Sequence, residues 1–129
     1  AVNIDGGFRA KGRSEAERLR VIEEAQAAAD AGAFAIVIEG VAEDLAAEIT
    51  RQVACPTIGI GASAACDGQI LVTQDMLGFV DWTPKFVRQY ADLRNDIASA
   101  VEHYAREVRA REFPGPAETY ALRKKDTTG

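Results

Sequence analysis

The sequence predicts an α/β fold built on a parallel sheet, and three observations lead to this prediction. Two helical segments are each followed by a short apolar strand, at residues 34–38 and 57–61. A third apolar run, residues 69–72, follows a loop of small residues. Because repeated helix–strand units with short connections place their strands parallel, the sheet is either open or closed into a barrel.

The first helix–strand unit begins at a capping box. Ser14 can accept a hydrogen bond from the amide of Glu17, whose own side chain can reach back to Ser14. Apolar side chains then recur at helical spacing, and Gly32 supplies the left-handed residue that commonly ends a helix. The strand of residues 34–38 follows at once and is apolar enough to be buried on both faces.

The second unit repeats this order. The spacing of Leu45 and Ile49 predicts a helix over residues 42–52 with those side chains facing inward. Pro56 ends the helix, and residues 57–61 form a short strand. Three strands alone would expose two sheet edges and bury little apolar area, so we expect a further half of the fold to pack against them.

A long helix is predicted from about Lys85. Its apolar stripe, with spacings of three and four residues, ends before residues 113–116 (FPGP). The stripe consists of Tyr90, Leu93, Ile97, Val101, Tyr104 and Val108. We expect one domain over residues 1–116 and a flexible tail over residues 117–129.

The composition is that of an ordinary globular chain. Of 129 residues, 47% are hydrophobic and 27% are charged, and the net charge of −5 disfavours nucleic acid and anionic membranes as partners. No apolar stretch approaches the roughly 20 residues of a membrane span. Cys55 and Cys66 fit neither a common zinc spacing nor a disulfide framework, so we expect reduced thiols in a cytoplasmic protein.

Glu39 is the candidate catalytic residue. It ends the first apolar strand, where a carboxylate is costly to desolvate unless it is paired, metal-bound or used in chemistry. In barrels and related parallel folds, that end of the strand carries the active site. Burial behind the apolar run would make Glu39 a base usable near neutral pH. The alternatives are a cap for the following helix or an ion pair with an arginine.

Weaker candidates for substrate contacts lie in the loops. Gly61 and Ala62 follow a Gly-x-Gly, where the backbone either approaches a ligand or packs closely at a corner of the fold. Asp67 precedes the third strand, where a turn is the more ordinary role than a contact with substrate or metal-bound water. The basic segment over residues 6–13 is either a solvated loop or a lid that contacts an anion.

Several segments, in order and extending to about Gly115, resemble the ketopantoate (3-methyl-2-oxobutanoate) hydroxymethyltransferase family. They are residues 3–8 (NIDGGF) with Gly12 and Arg13, 36–39 (IVIE), 56–62 (PTIGIGA), 67–72 (DGQILV), 75–78 (DMLG) and 84–86 (PKF). The ordered set is far more specific than any one of these motifs.

The resemblance implies the C-terminal part, strands six to eight, of a (β/α)8 barrel with a long C-terminal helix. It implies transfer of a hydroxymethyl group from 5,10-methylenetetrahydrofolate to 3-methyl-2-oxobutanoate, giving 2-dehydropantoate for pantothenate and coenzyme A. Family members use Mg²⁺ or another divalent cation to stabilise an enolate and are usually homo-oligomers. The family's proton acceptor ends the sixth strand, which is the position of Glu39.

The resemblance also implies that part of the site lies elsewhere. The family's metal-ligating acids, and its serine and lysine that contact the oxo acid, belong to earlier strands and match nothing here. We therefore expect no metal ligands in this chain, no activity from it alone, and a need for the N-terminal half of the same barrel. Ser63 stands where many relatives have Gly, and Lys11 where many have Gln.

Two other functions stay open at this point. One is a metal-dependent oxo-acid carbon–carbon lyase of the phosphoenolpyruvate/pyruvate barrel group, which would use the same enolate chemistry without folate. The other is a non-catalytic half-barrel that acts as an assembly module through its long terminal helix.

Overall fold

The computed structural model describes residues 12–122. Within that range the three strands form one parallel sheet, in which each strand lies beside its predecessor in the chain. The predicted α/β class with a parallel sheet is confirmed. The elements are α1 (Glu15–Asp30), β1 (Ile36–Glu39), α2 (Glu43–Gln52), β2 (Thr57–Ile60), β3 (Gly68–Gln69), α3 (Thr73–Met76), α4 (Leu93–Arg109) and a 3-10 turn (Pro116–Glu118).

Strand register divides the sheet into a covered face and an open face. β1 and β2 pair along their whole length, with Glu39 opposite Ile60. Alternate residues of a strand point to opposite faces. Ile38 is buried on the covered face, whereas Val37, on the open face with Glu39, is 55% exposed. The prediction that β1 is buried on both faces is therefore wrong for residues 12–122, because helices cover only one face.

The core lies between the covered face and helices α1 and α2. Leu45 and Ile49 of α2 are almost completely buried, and they cluster with Ala25 of α1 and Ile38 of β1. This confirms the inward positions predicted for α2. Burying one such side chain contributes about 1.5–3 kcal/mol relative to leaving it in water, so α2 anchors the sheet.

Arg18 joins α1 to α2. Its guanidinium lies 2.9 Å from a carboxylate oxygen of Asp44 and 3.3 Å from one of Glu48. It also donates to the carbonyl oxygen of Gly12 at 3.5 Å. The side chain of Arg18 is only 22% exposed, so water and salt screen these pairs less than at a free surface. These contacts fix the backbone ahead of α1 against α2.

The ends of α1 agree with the capping signals in part. The hydroxyl of Ser14 accepts the amide of Glu17 at 3.2 Å, but within residues 12–122 the side chain of Glu17 does not make the return bond of the predicted capping box. Gly32 adopts φ 92° just beyond the helix. Both features depend on residues a few positions apart. The sequence alone was therefore sufficient to predict them.

The long helix begins later than predicted. α4 starts at Leu93, not near Lys85, and Tyr90 lies outside the helical stripe. The amide of Tyr90 donates to the carbonyl of Met76 at 2.8 Å. This bond holds residues 85–92 against the end of α3, and a backbone held in this way does not continue the helix.

Most of the apolar stripe of α4 has no cover within the described part of the chain. No residue of α4 is buried, and four of its apolar side chains are between 43% and 59% exposed. These side chains are Ile97, Val101, Tyr104 and Val108, whereas Leu93 at the start of the helix is half-buried and the ring of Tyr104 contacts that of Phe113 edge-on. None of the helices in residues 12–122 is both long and apolar enough to cross a bilayer.

The third strand is shorter than residues 69–72. β3 covers only Gly68–Gln69, and its ladder ends where the amide of Ile70 donates to the carbonyl of Gly59 at 3.0 Å. The chain then forms α3, a short helix that the sequence analysis did not predict. Because β3 pairs on one side only within residues 12–122, it is a sheet edge with nothing to extend its ladder.

Candidate functional site

Glu39 ends β1 at the carboxyl end of the sheet, on the open face. Its side chain is exposed, so the expected burial does not hold for the described residues. Neither alternative role is realised there. The residue that precedes α2 as its N-cap is Ala42, and no arginine of residues 12–122 pairs with Glu39. The carboxylate of Glu39 is therefore accessible from the open face.

Gly40 explains how the chain leaves β1 directly after Glu39. It adopts φ 63°, a left-handed conformation that glycine reaches without the penalty of a Cβ. The turn lets α2 begin at Glu43, only a few residues beyond the strand. Glu39 is consequently held at the end of a paired strand rather than in a loop.

Gly61 has the same conformation at the end of β2, with φ 61°. A Cβ built on Gly61 would overlap Cβ and Cγ of Phe86. The sequence left two alternatives open for this Gly-x-Gly, approach of the backbone to a ligand or close packing at a corner of the fold. At Gly61 the structure shows close packing, since Phe86 lies directly against the backbone. Ala62, the next residue, is buried.

Asp67 lies at the other end of the sheet from Glu39. Its carboxylate accepts the backbone amide of Thr57 at 2.8 Å and the hydroxyl of Thr57 at 3.3 Å. Thr57 is fully buried at the first position of β2. Asp67 thus satisfies a buried donor at the amino end of a strand, and the structure does not bring it together with Glu39.

A cavity of about 440 Å³ lies beside the carboxyl ends of β1 and β2. Gly61 and Ala62 line it, together with Arg13, Lys85 and Glu43. We call this space the cationic cavity. Neither Arg13 nor Lys85 forms an ion pair within residues 12–122.

Sequence reasoning did not single out Lys85, which it assigned to the start of a helix. The one available signal was its place in the PKF motif, residues 84–86. Arg13 belongs to the basic segment that the sequence indicates over residues 6–13, and the other cations of that segment, Arg9 and Lys11, lie outside the described residues.

The described residues do not form a metal site. Within residues 12–122 there is no group of three or more His, Cys, Asp and Glu side chains placed to hold a metal ion. Cys55 and Cys66 are free thiols, and Cys66 is buried beside the hydroxyl of Thr50, 3.8 Å away.

Comparison with known sequences identifies the family. Residues 1–116 match the family model described as ketopantoate hydroxymethyltransferase. The chain belongs to this family. The resemblance drawn from the ordered motifs is confirmed, and with it membership of an enzyme family.

Curated relatives named 3-methyl-2-oxobutanoate hydroxymethyltransferase are similar over nearly the whole chain. The protein of Hyphomonas neptunium is 77% identical over 96% of this chain, and that of Phenylobacterium zucineum is 69% identical over 93%. The protein of Caulobacter vibrioides is 64% identical over 96% of this chain. The aligned regions cover only 45%, 44% and 45% of these relatives, so the chain spans less than half the length of each.

The packing of Phe86 on Gly61 leads to a stability prediction for the whole protein that contains this chain. We expect Gly61→Ala to lower the free energy of unfolding by about 2–5 kcal/mol. A left-handed alanine costs about 1–2 kcal/mol, and overpacking of a close contact adds about 1–3 kcal/mol. Urea unfolding followed by circular dichroism measures the change.

Gly40→Ala is the matched control for this change. Gly40 has nearly the same φ, yet a Cβ there would meet nothing within 4 Å in the described residues. The control should therefore show the conformational penalty alone. Equal losses for the two variants would mean that Phe86 does not restrict position 61.

Proposed function

We propose that the protein containing this chain transfers a hydroxymethyl group from 5,10-methylenetetrahydrofolate to 3-methyl-2-oxobutanoate, giving 2-dehydropantoate in the cytoplasm. Family membership supports this activity, and the relatives carry its name. The structural observation that supports it most directly is Glu39, an accessible carboxylate at the carboxyl end of a parallel strand.

Glu39 would act as the proton acceptor. The C3 proton of a 2-oxo acid is weakly acidic, because its loss gives an enolate that is delocalised onto the keto oxygen. A carboxylate above C3 removes the proton and leaves the electron pair in the enolate. C3 then forms a bond to the methylene carbon of the folate while one of the two C–N bonds of that carbon breaks, and the released nitrogen takes up the proton that Glu39 had accepted. Water then replaces the second nitrogen on the methylene carbon: its hydroxyl group stays on the carbon, its other proton goes to the nitrogen, and tetrahydrofolate departs.

A divalent cation, Mg²⁺ or a similar ion, belongs to the proposal through the family resemblance. When bound, such an ion stabilises the negative charge of an enolate. Residues 12–122 do not fit this role, since they contain no suitable group of ligands. The cation would therefore need ligands from the rest of a protein of the relatives' length.

We also infer that β1, β2 and β3 are strands six to eight of a (β/α)8 barrel. The sequential parallel order supports this inference, because strands in such a barrel follow one another around the sheet. The open face supports it as well, since Val37 is apolar and 55% exposed within the described residues. The N-terminal half of the barrel would cover that face and surround Glu39.

A homo-oligomer is part of the same proposal. The exposed apolar stripe of α4 is larger than scattered surface residues would explain. It would be covered either by the remainder of the barrel or by another subunit. Size-exclusion chromatography with light scattering would give the number of subunits in the whole protein.

The reaction itself can be tested with the whole protein. Incubation with 3-methyl-2-oxobutanoate, methylenetetrahydrofolate and Mg²⁺ should yield 2-dehydropantoate, detected by mass spectrometry. No product should form without the folate, and the 129-residue chain alone should be inactive. Cleavage of a carbon–carbon bond without folate would indicate the lyase. A complete lack of turnover and of cation dependence would indicate the assembly module.

A further inference from the structure

We propose that the cationic cavity binds the carboxylate-bearing glutamyl tail of the folate co-substrate, with Arg13 and Lys85 as its ligands. This inference rests on the proposed function. It goes further by assigning a binding subsite to a cavity whose two cations no step of the mechanism uses.

The position of the cavity suits a part of the ligand that does not react. Its lining includes Gly40, which is the residue after Glu39, as well as Gly61 and Phe86, but Glu39 itself does not line it. A group bound there lies next to the reacting centre and outside it. A volume of about 440 Å³ is also ample for an extended chain segment.

The charges of the lining favour a carboxylate. Arg13 and Lys85 contribute two positive charges and Glu43 one negative charge, so the wall carries a net positive charge. Guanidinium and ammonium groups without ion-pair partners form strong charge-assisted hydrogen bonds with carboxylates. The start of α2 also lines the cavity, and no side chain of its N-cap residue, Ala42, accepts a hydrogen bond from the first amides of the helix. The amides of this first turn are therefore available to an anion as well.

Both cations extend from backbone that is held in place. Arg13 follows Gly12, whose carbonyl is bound by Arg18 and whose backbone packs on Leu45. Lys85 precedes Phe86, which packs on Gly61. Fixing the backbone in advance lowers the entropy lost on binding, so two flexible side chains can still form an effective site.

Two ligands of the proposed reaction carry carboxylates, and the geometry distinguishes them. The carboxylate of the oxo acid is two bonds from C3, so it must stay close to Glu39 on the open face. The glutamyl carboxylates of the folate lie at the far end of that molecule from the methylene carbon. A subsite beside the strand ends, with Glu39 outside its wall, fits the distant group.

The test uses the whole protein with Arg13→Gln and Lys85→Gln. Calorimetry with tetrahydrofolate carrying one and three glutamates should show Kd raised about ten-fold by each change, the effect of losing one charge-assisted hydrogen bond. The KM for the oxo acid should stay unchanged. Exchange of its C3 proton in the absence of folate should persist, which also shows that the variants are folded.

Arg51→Gln is the matched control, because Arg51 is an exposed cation in the last turn of α2, at the opposite end from the cavity. Its Kd for both folates should equal that of the wild type.

Unchanged folate affinity in the Arg13 and Lys85 variants would overturn the proposed folate subsite and leave the proposed function standing. A rise in the KM for the oxo acid alone would assign the cavity to the smaller substrate and would also overturn it. Absence of both exchange and transfer in the wild type would remove the proposed function itself.

Discussion

Replacing Glu39 with glutamine in the whole protein should greatly slow exchange of the C3 proton of 3-methyl-2-oxobutanoate with solvent. The carboxamide keeps the size of the side chain but cannot accept a proton at neutral pH. A positioned general base contributes about 10²–10⁴-fold to a rate, and the loss should fall in that range. Proton NMR of the substrate in D₂O follows the exchange directly and does not require the folate.

Glu39→Gln should leave the stability of the fold nearly unchanged. Glu39 is exposed and forms no hydrogen bond or ion pair with the part of the chain that the structure describes. Substitutions of this kind usually change the free energy of unfolding by no more than about 0.5 kcal/mol. A loss of exchange in a protein of normal stability would therefore be a loss of chemistry.

Glu23→Gln provides the control for that experiment. Glu23 is an exposed carboxylate on α1 that lines neither the cationic cavity nor the strand ends, and its loss should leave exchange at the wild-type rate. Glu39→Asp adds a second check, because it keeps the charge and moves it back by one methylene. We expect partial exchange from that variant. Full exchange by Glu39→Gln would exclude Glu39 as the base.

Leu45→Ala should cause a large loss of stability. Leu45 is completely buried at the centre of the core between α1, α2 and the sheet, and the Gly12 backbone packs on its side chain. Truncating a buried leucine typically costs about 2–5 kcal/mol, from lost transfer free energy and from the space left behind. Urea unfolding of the whole protein, followed by circular dichroism, measures the change.

Leu19→Ala removes the same atoms from a solvent-exposed position. Leu19 lies on α1 with 55% of its surface exposed, so its truncation should change the free energy of unfolding by about 0.5 kcal/mol or less. Similar losses for the two variants would contradict the position of the core between the covered face and the helices.

Local signals were sufficient for much of the fold. The cap at Ser14, the left-handed Gly32 and the break at Pro56 involve residues that are close in sequence, and each lies where it was expected. The inward positions of α2 followed from its spacing, because a helix with one covered side repeats apolar residues every three or four positions.

Predictions that depended on distant contacts were the wrong ones. The start of α4 was placed too early because the bond between Tyr90 and Met76 joins separate segments, and no local pattern reveals it. The run of residues 69–72 had the composition of a strand, but only its first part has a partner in the sheet. Glu39 was identified from its place at a strand end, while its exposure depends on which face the helices cover.

The amino-acid sequence alone determined the α/β class, the order of the longer helices and of the strands, the family and the position of Glu39, because these follow from local spacing and from motifs along the chain. Only the tertiary structure decided which face of the sheet stays open. It also decided that Asp67 accepts a hydrogen bond from Thr57 at the start of β2, and that Arg13 and Lys85 line the same cavity. Those results depend on how segments far apart in the chain pack together. Phe86 packs on Gly61, and Arg18 donates a hydrogen bond to the carbonyl of Gly12. These two contacts position Lys85 and Arg13, and neither can be predicted from residues that are close in sequence.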